Sequence, residues 1–179
     1  MKATGFVRRI DDLGRVVIPK VIRRTMRIRE GDPLEIYTTR EGEVIFKKYS
    51  LIGGLEDFAA QFCDVLNRSS GFTAAVTDRD AIIAITGSGK RELLGKPLSD
   101  ALAQVMEQRS IYQYQGSGRP LPVSDSSDRY TVAVAAPILC EGDVLGLVLF
   151  LSSDAQIPGE GEYKLAQTVS AFLGRHMET

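Results

Sequence analysis

The first fifty residues carry their apolar positions in short clusters separated by turn formers, the signature of brief strands rather than long helices. Phe6, Val7 and Ile10 precede the turn-forming run Asp11-Asp12-Leu13-Gly14. The β-branched run Val16-Val17-Ile18 ends at Pro19, which has no amide hydrogen to carry a ladder further. Pro19 suits the first turn of a helix, and Val21, Ile22 and Met26 then fall on the apolar side of one to two helical turns. After the turn Glu30-Gly31-Asp32, Leu34, Ile36 and Thr38 alternate with Glu35, Tyr37 and Thr39. Val44-Ile45-Phe46 follows a loop containing Gly42, so this stretch predicts a β-hairpin. The expectation for this half is four short strands and one short helix. A unit of about fifty residues buries a modest fraction of its surface alone. The pattern therefore predicts two copies sharing one core, an obligate dimer with exchanged strands.

Beyond residue 54 the period lengthens. Leu55, Phe58, Ala59, Phe62, Val65 and Leu66 recur at helical spacing. Apolar runs at 72–76, 81–86, 131–136 and 144–151 predict strands, the last two joined by Cys140-Glu141-Gly142-Asp143. A helical pattern over 93–106 is interrupted at Gly95-Lys96-Pro97, and the polar stretch 108–128 predicts a long loop with one short strand. Leu165, Ala166, Val169, Phe172 and Leu173 form the stripe of a closing helix. Helices segregated to the faces of an antiparallel sheet make an α+β layout. The expected domains are 1–50 and 55–179, joined by a linker at 51–54. The two amphipathic helices, over 55–68 and 161–177, could cover their own sheet or pack on a second subunit, and periodicity fits both. In the second case two kinds of dimer contact would combine into a tetramer.

Composition first narrows this picture and then misleads. In 179 residues, 44% hydrophobic and 25% charged content is that of a globular chain. The apolar run at 144–151 is too short to span a bilayer, and Met1-Lys2-Ala3-Thr4-Gly5 leads into charged residues with no apolar signal region. Two cysteines fit reduced thiols, so a cytoplasmic protein away from the membrane is expected. A net charge of -1 argues against nucleic acid until the chain is divided. Residues 1–50 hold 12 Lys+Arg against 7 Asp+Glu, a net of +5, whereas 51–179 hold 10 against 16, a net of -6. The first 29 residues alone reach +7. Such asymmetry joins a basic module to an acidic one.

Arg8 and Arg9 fall on the first expected strand, Arg15 at the start of the next, and Lys20, Arg23 and Arg24 on the short helix, with Arg27 and Arg29 after it. Guanidinium forks match phosphates and guanine edges. The alternative is a solvated face with Asp11 and Asp12 taking some of the arginines into ion pairs. Residue order favours the first reading. The stretch from Thr4 through Asp11-Asp12-Leu13-Gly14-Arg15-Val16-Val17-Ile18-Pro19 to Ile22-Arg23-Arg24-Thr25 resembles the AbrB-type DNA-binding domain of bacterial transition-state regulators. Leu34-Glu35-Ile36-Tyr37 and Lys47-Lys48-Tyr49 also look like that family. The resemblance implies a swapped-hairpin dimer that docks on double-stranded DNA through Arg8, Arg15, Arg23 and Arg24. Arg9 is basic too and is counted with the DNA-binding residues, although the alternation of strand neighbours could turn it to the other side. The whole chain is similar to the stage V sporulation protein T family, in which a GAF-like domain follows. Asp78-Arg79-Asp80, Ala136-Pro137-Ile138 and Gly142-Asp143-Val144-Leu145-Gly146 carry that likeness in the second half.

The resemblance implies that the second half senses an unknown small molecule, mediates oligomerisation, or both. Thr86-Gly87-Ser88-Gly89-Lys90 has the place of an anion cradle between a strand and a helix, but it lacks the spacing of a P-loop and of a dinucleotide fingerprint. A flexible glycine turn is the favoured reading. Cys63, on the apolar side of a helix, and Cys140, at a turn, are expected to be inert thiols, and His176 a packed or interface residue. One histidine and dispersed carboxylates suggest no metal site, no catalytic triad and no cofactor. The expectation is a sporulation-type transcriptional regulator rather than an enzyme. The rivals are an antitoxin-like DNA-binding protein and a thiol-dependent reductase on the GAF scaffold.

Overall fold

The computed structural model describes residues 4–49, 52 and 55–177. The chain forms two compact units, Met1–Tyr49 and Ser50–Thr179. Of the expected linker, residues 51, 53 and 54 lie outside the described residues, as do residues 1–3 at the amino end; Ile52 is buried.

In the first unit, helix α1 (Lys20–Thr25) starts after Pro19, whose carbonyl accepts the Arg23 amide at 3.0 Å. Strands β1 (Leu34–Thr38) and β2 (Val44–Lys48) pair antiparallel, with Leu34 opposite Lys48 and Thr38 opposite Val44. The loop between them closes through Thr39 and Gly42. The strands expected at 6–10 and 16–18 are absent from the described residues of this single chain. The two segments flank a closed turn, yet among the described residues neither has a neighbouring strand to supply ladder hydrogen bonds. Two strands stand where four were expected. No described residue of this unit is buried: Val7 is 87% exposed, Ile10 69% and Val17 70%. Apolar residues are present in the expected pattern, but one chain offers them nothing to pack against.

The second unit is built on an antiparallel sheet. Its elements are α2 (Glu56–Ser70), β3 (Thr73–Thr77), β4 (Ile82–Thr86), α3 (Lys90–Leu93), α4 (Asp100–Gln108), β5 (Tyr112–Gln113), β6 (Pro122–Ser124), β7 (Ser127–Cys140), β8 (Asp143–Ser152) and α5 (Glu160–His176). The strand order is β4-β3-β8-β7-β5, with β6 also on β7. One face buries Val148 and Phe150 of β8 together with Ala59, Cys63 and Leu66 of α2 and Ala166, Val169 and Leu173 of α5. The other face buries Leu147, Leu149 and Leu151 against Leu102, Val105 and Met106 of α4. A strand covered on both faces reads as a continuous apolar run, which is why β8 does not alternate with solvent-facing residues. Glu141 and Gly142, both at positive φ (48° and 89°), make the two-residue turn between β7 and β8. The stretch 108–128 holds two short strands rather than one, because β6 and β5 both lie along β7.

Ser99 caps α4, accepting the Leu102 amide at 3.2 Å and donating to the Pro122 carbonyl at 2.7 Å, so one hydroxyl fixes both a helix start and the β6 segment. Gly174 of α5 lies so close to β7 that a Cβ there would overlap the carbonyl oxygen of Leu139.

Candidate nucleic-acid interface

The arginine-bearing segment is organised by one carboxylate. Asp11 Oδ1 accepts the amides of Leu13 at 3.0 Å and Arg15 at 2.8 Å, while Oδ2 accepts from Arg15 Nε at 2.8 Å. The Asp11 amide donates to the Arg15 carbonyl and the Gly14 amide to the Asp11 carbonyl, with Gly14 at φ 74° where glycine carries no Cβ penalty. The tight turn sets Arg15 in place, and its guanidinium remains 69% exposed. The Arg15 amide and then the guanidinium hold the Asp11 carboxyl below the usual aspartate value of 3.8. A depressed folded-state pKa stabilises the turn above pH 3.8, and that contribution is lost as pH falls through the lower folded value. The amide shifts of Leu13 and Arg15, followed by NMR, should titrate together with a midpoint below 3.8; a midpoint at or above it would contradict the pairing.

The other expected contacts lie close in sequence to this turn. Arg8 is exposed, its guanidinium 5.7 Å from the centre of the Phe6 ring. Arg9 and Arg24 are exposed, and Arg23 is half-buried on α1. The Nε of Arg23 is buried without a hydrogen-bond partner among the described residues. Leaving a charged donor in that condition costs on the order of 1–3 kcal/mol. A second anchor escaped the sequence reading. Lys48 Nζ donates to the Arg27 carbonyl at 2.9 Å and lies 3.9 Å from Asp32 Oδ2, whose side chain is 5% exposed. Asp32 Oδ2 also accepts the Arg29 amide at 2.8 Å. This clamp joins β2 to the segment after α1. Its sequence signal, an acid in the 30–32 turn and a lysine on the last strand, has no local spacing to reveal it.

Among the described residues of the second unit there is no comparable charge constellation. In the Gly87–Lys90 stretch, Thr73 Oγ1 donates to the Ser88 carbonyl at 3.0 Å, and a Cβ on Gly89 would strike the Tyr130 ring. The loop is packed into the fold, and the helix after it has four residues, too short to focus a dipole on an anion. Cys63 is fully buried, and burial pushes its thiol up to about 12, the opposite of a reactive thiolate. Cys140 is half-buried at the β7 end, and neither cysteine is in a disulfide. His176 lies parallel to Phe172 with centroids 6.1 Å apart, and 5.0 Å from Phe58, within an aromatic group that includes Phe62. Phe172 and Val65 are exposed at 48% and 59%.

An arginine-rich, turn-pinned module followed by a two-faced antiparallel sheet with flanking helices defines a class: an AbrB-type N-terminal unit joined to a GAF-like one. Residues 54–178 match the family described as stage V sporulation protein T C-terminal, transcription factor. Residues 7–51 match the antidote-toxin recognition family MazE, bacterial antitoxin. The chain is 50% identical over 181 residues to the stage V sporulation protein T of Bacillus subtilis (strain 168), covering 99% of each. It is 59% identical over 49 residues to that organism's transition state regulatory protein AbrB, covering 27% of this chain and 50% of the other. The GAF domain of an Acinetobacter phosphoenolpyruvate-protein phosphotransferase shares the fold, with a TM-score of 0.56 and 13% identity over 73% of this chain and 84% of that one. The chain belongs to the stage V sporulation protein T family. That family is one of transcription factors, so the protein is a transcriptional regulator and not an enzyme.

Proposed function

We propose that residues 1–50 bind double-stranded DNA as a dimer with exchanged strands, and that Arg8, Arg15, Arg23 and Arg24 make the contacts, with the exposed Arg9 adding to the same basic set. The observation that carries this reading is the combination, in one unit, of a net charge of +7 over 29 residues with no buried apolar residue among its described residues in the single chain. A second copy would supply the core, and the exposed arginines would then form one continuous basic surface across two protomers. Phosphate contacts dominate affinity in such an interface and make it salt-dependent, while DNA shape adds to base-edge readout. Residues 55–179 act as the GAF-like sensory or oligomerising domain. The exposed aromatic face of Phe172 and its neighbours supports a second dimer contact and hence a tetramer. A small-molecule effector would act by favouring one of two quaternary arrangements. Among the described residues no helix is long and apolar enough to cross a membrane, and the proposed site of action is the cytoplasm.

Mobility-shift titration at fixed salt tests the interface: Arg15→Ala and Arg23→Ala should each weaken DNA binding about tenfold or more while the parent oligomer persists. Equal affinity for parent and mutants would overturn the contact set. Light scattering of the full chain at micromolar concentration should give a dimer or tetramer mass, and a monomer mass would overturn the shared core.

A further inference from the structure

Helix α1 ends on a stop whose key position is filled against its conformational preference. The Arg27 amide donates to the Arg24 carbonyl at 3.2 Å and the Ile28 amide to the Arg23 carbonyl at 2.7 Å. These are the paired bonds of a Schellman motif, which places its C′ residue in the left-handed region. Here that residue is Arg27, at φ 52°. Glycine is the usual occupant because it has no Cβ to clash with its own backbone. Glycine fills every other left-handed position among the described residues of this unit: Gly5, Gly14, Gly31 and Gly42. Arg27 is the exception.

The exception is firmly held. The Lys48–Asp32 pair grips the carbonyl of Arg27 and the amide of Arg29, so the backbone on both sides of Ile28 is tied to a carboxylate that is almost fully buried. The Arg27 residue itself is exposed. Lys20, Arg23 and Arg24 share one face of α1 at spacing i, i+3, i+4, and Arg27 adds a further basic residue two positions past the helix's last residue, Thr25. Backbone strain that glycine would relieve persists where the side chain is needed for something other than folding.

We infer that Arg27 is a further DNA-contacting residue, pairing with a backbone phosphate, and that Lys48 and Asp32 are positioning residues that hold it. The inference rests on the DNA-binding reading of this unit. A guanidinium on a clamped turn is pre-organised for an anion in a way that a flexible surface arginine is not.

The test is Arg27→Gly in the full chain, because the two effects of that change have opposite signs. Removing the Cβ from a left-handed position should raise the thermal unfolding midpoint by a few degrees. Removing the charge should lower affinity for a mixed-sequence DNA duplex roughly tenfold. It should also make the slope of log affinity against log salt shallower by about 1.8 per dimer, one phosphate per protomer. Fluorescence anisotropy from low to moderate salt reads both quantities, and Arg27→Lys should retain most of the slope. A more stable protein with unchanged affinity and slope would overturn the inference, as would a loss of stability in Arg27→Gly. If Arg15→Ala loses affinity and Arg27→Gly does not, the DNA-binding reading stands and the role of Arg27 falls. A parent chain that fails to bind the duplex removes both.

Discussion

Val17→Asp is expected to abolish the assembled N-terminal unit and DNA binding with it, even though Val17 is 70% exposed in the single chain. A substitution at an exposed site away from any special contact is usually worth less than about 0.5 kcal/mol. If Val17, Val7 and Ile10 instead meet their counterparts from a second copy, the aspartate must be desolvated in an apolar core. An unpaired carboxylate there costs several kcal/mol or forces the chains apart. The two outcomes differ enough to be read without ambiguity. Sedimentation equilibrium should show a lower mass, circular dichroism should show loss of β signal from this unit, and mobility shift should show no complex. A Val17→Asp protein with the parent's mass and affinity would mean that the apolar cluster is ordinary surface, and the shared core would be lost as an explanation.

Gly174→Val should be among the most damaging single changes in the second unit. The obstacle is the Leu139 carbonyl of β7, a backbone atom that cannot rotate aside, so α5 itself has to lift. That helix carries Ala166, Val169 and Leu173 into the core shared with α2 and the sheet. Overpacking that side chains can absorb costs about 1–3 kcal/mol; displacement of a whole helix should exceed it. Gly161, in the first turn of the same helix, has nothing within 4 Å of an added Cβ. Gly161→Ala should therefore be neutral or stabilise by up to about 1 kcal/mol. Guanidinium unfolding followed by near-ultraviolet signal would separate the pair. A Gly174→Val variant as stable as Gly161→Ala would show that α5 does not sit at that distance.

The sheet of the second unit was legible because its strands are apolar runs bounded by turn formers, and because Glu141-Gly142 is a strong hairpin signal. β7 runs longer than the expected 131–136 at both ends, since Ser127, polar and partly exposed, still pairs with Ser124 of β6, and residues 137–140 still pair with β8. Neither β5 nor β6 could be placed within 108–128, because two and three residues carry no period. In the first unit the apolar pattern was legible and its consequence was not: 6–10 and 16–18 look like strands, but a ladder needs a neighbour that this single chain lacks. The arginines announced themselves through the divided charge, and Asp11 through its place before a glycine turn. The Lys48–Asp32 clamp depends on the register of β2 against a distant turn, which no local spacing encodes. Arg27 is invisible for the opposite reason, since sequence rules look for glycine where a helix stops.

The lack of any buried apolar residue among the described residues of the N-terminal unit in a single chain bears on dosage. If that unit acquires its core when two chains meet, as proposed, its completion is second order in protein. At low copy number the amount of protein able to engage DNA then rises with the square of concentration rather than in proportion to it. Halving synthesis would cost more than half of the occupied sites, and a chain released early from the ribosome would stay silent until it found another. Such a regulator would have a threshold in its assembly before any effector is considered.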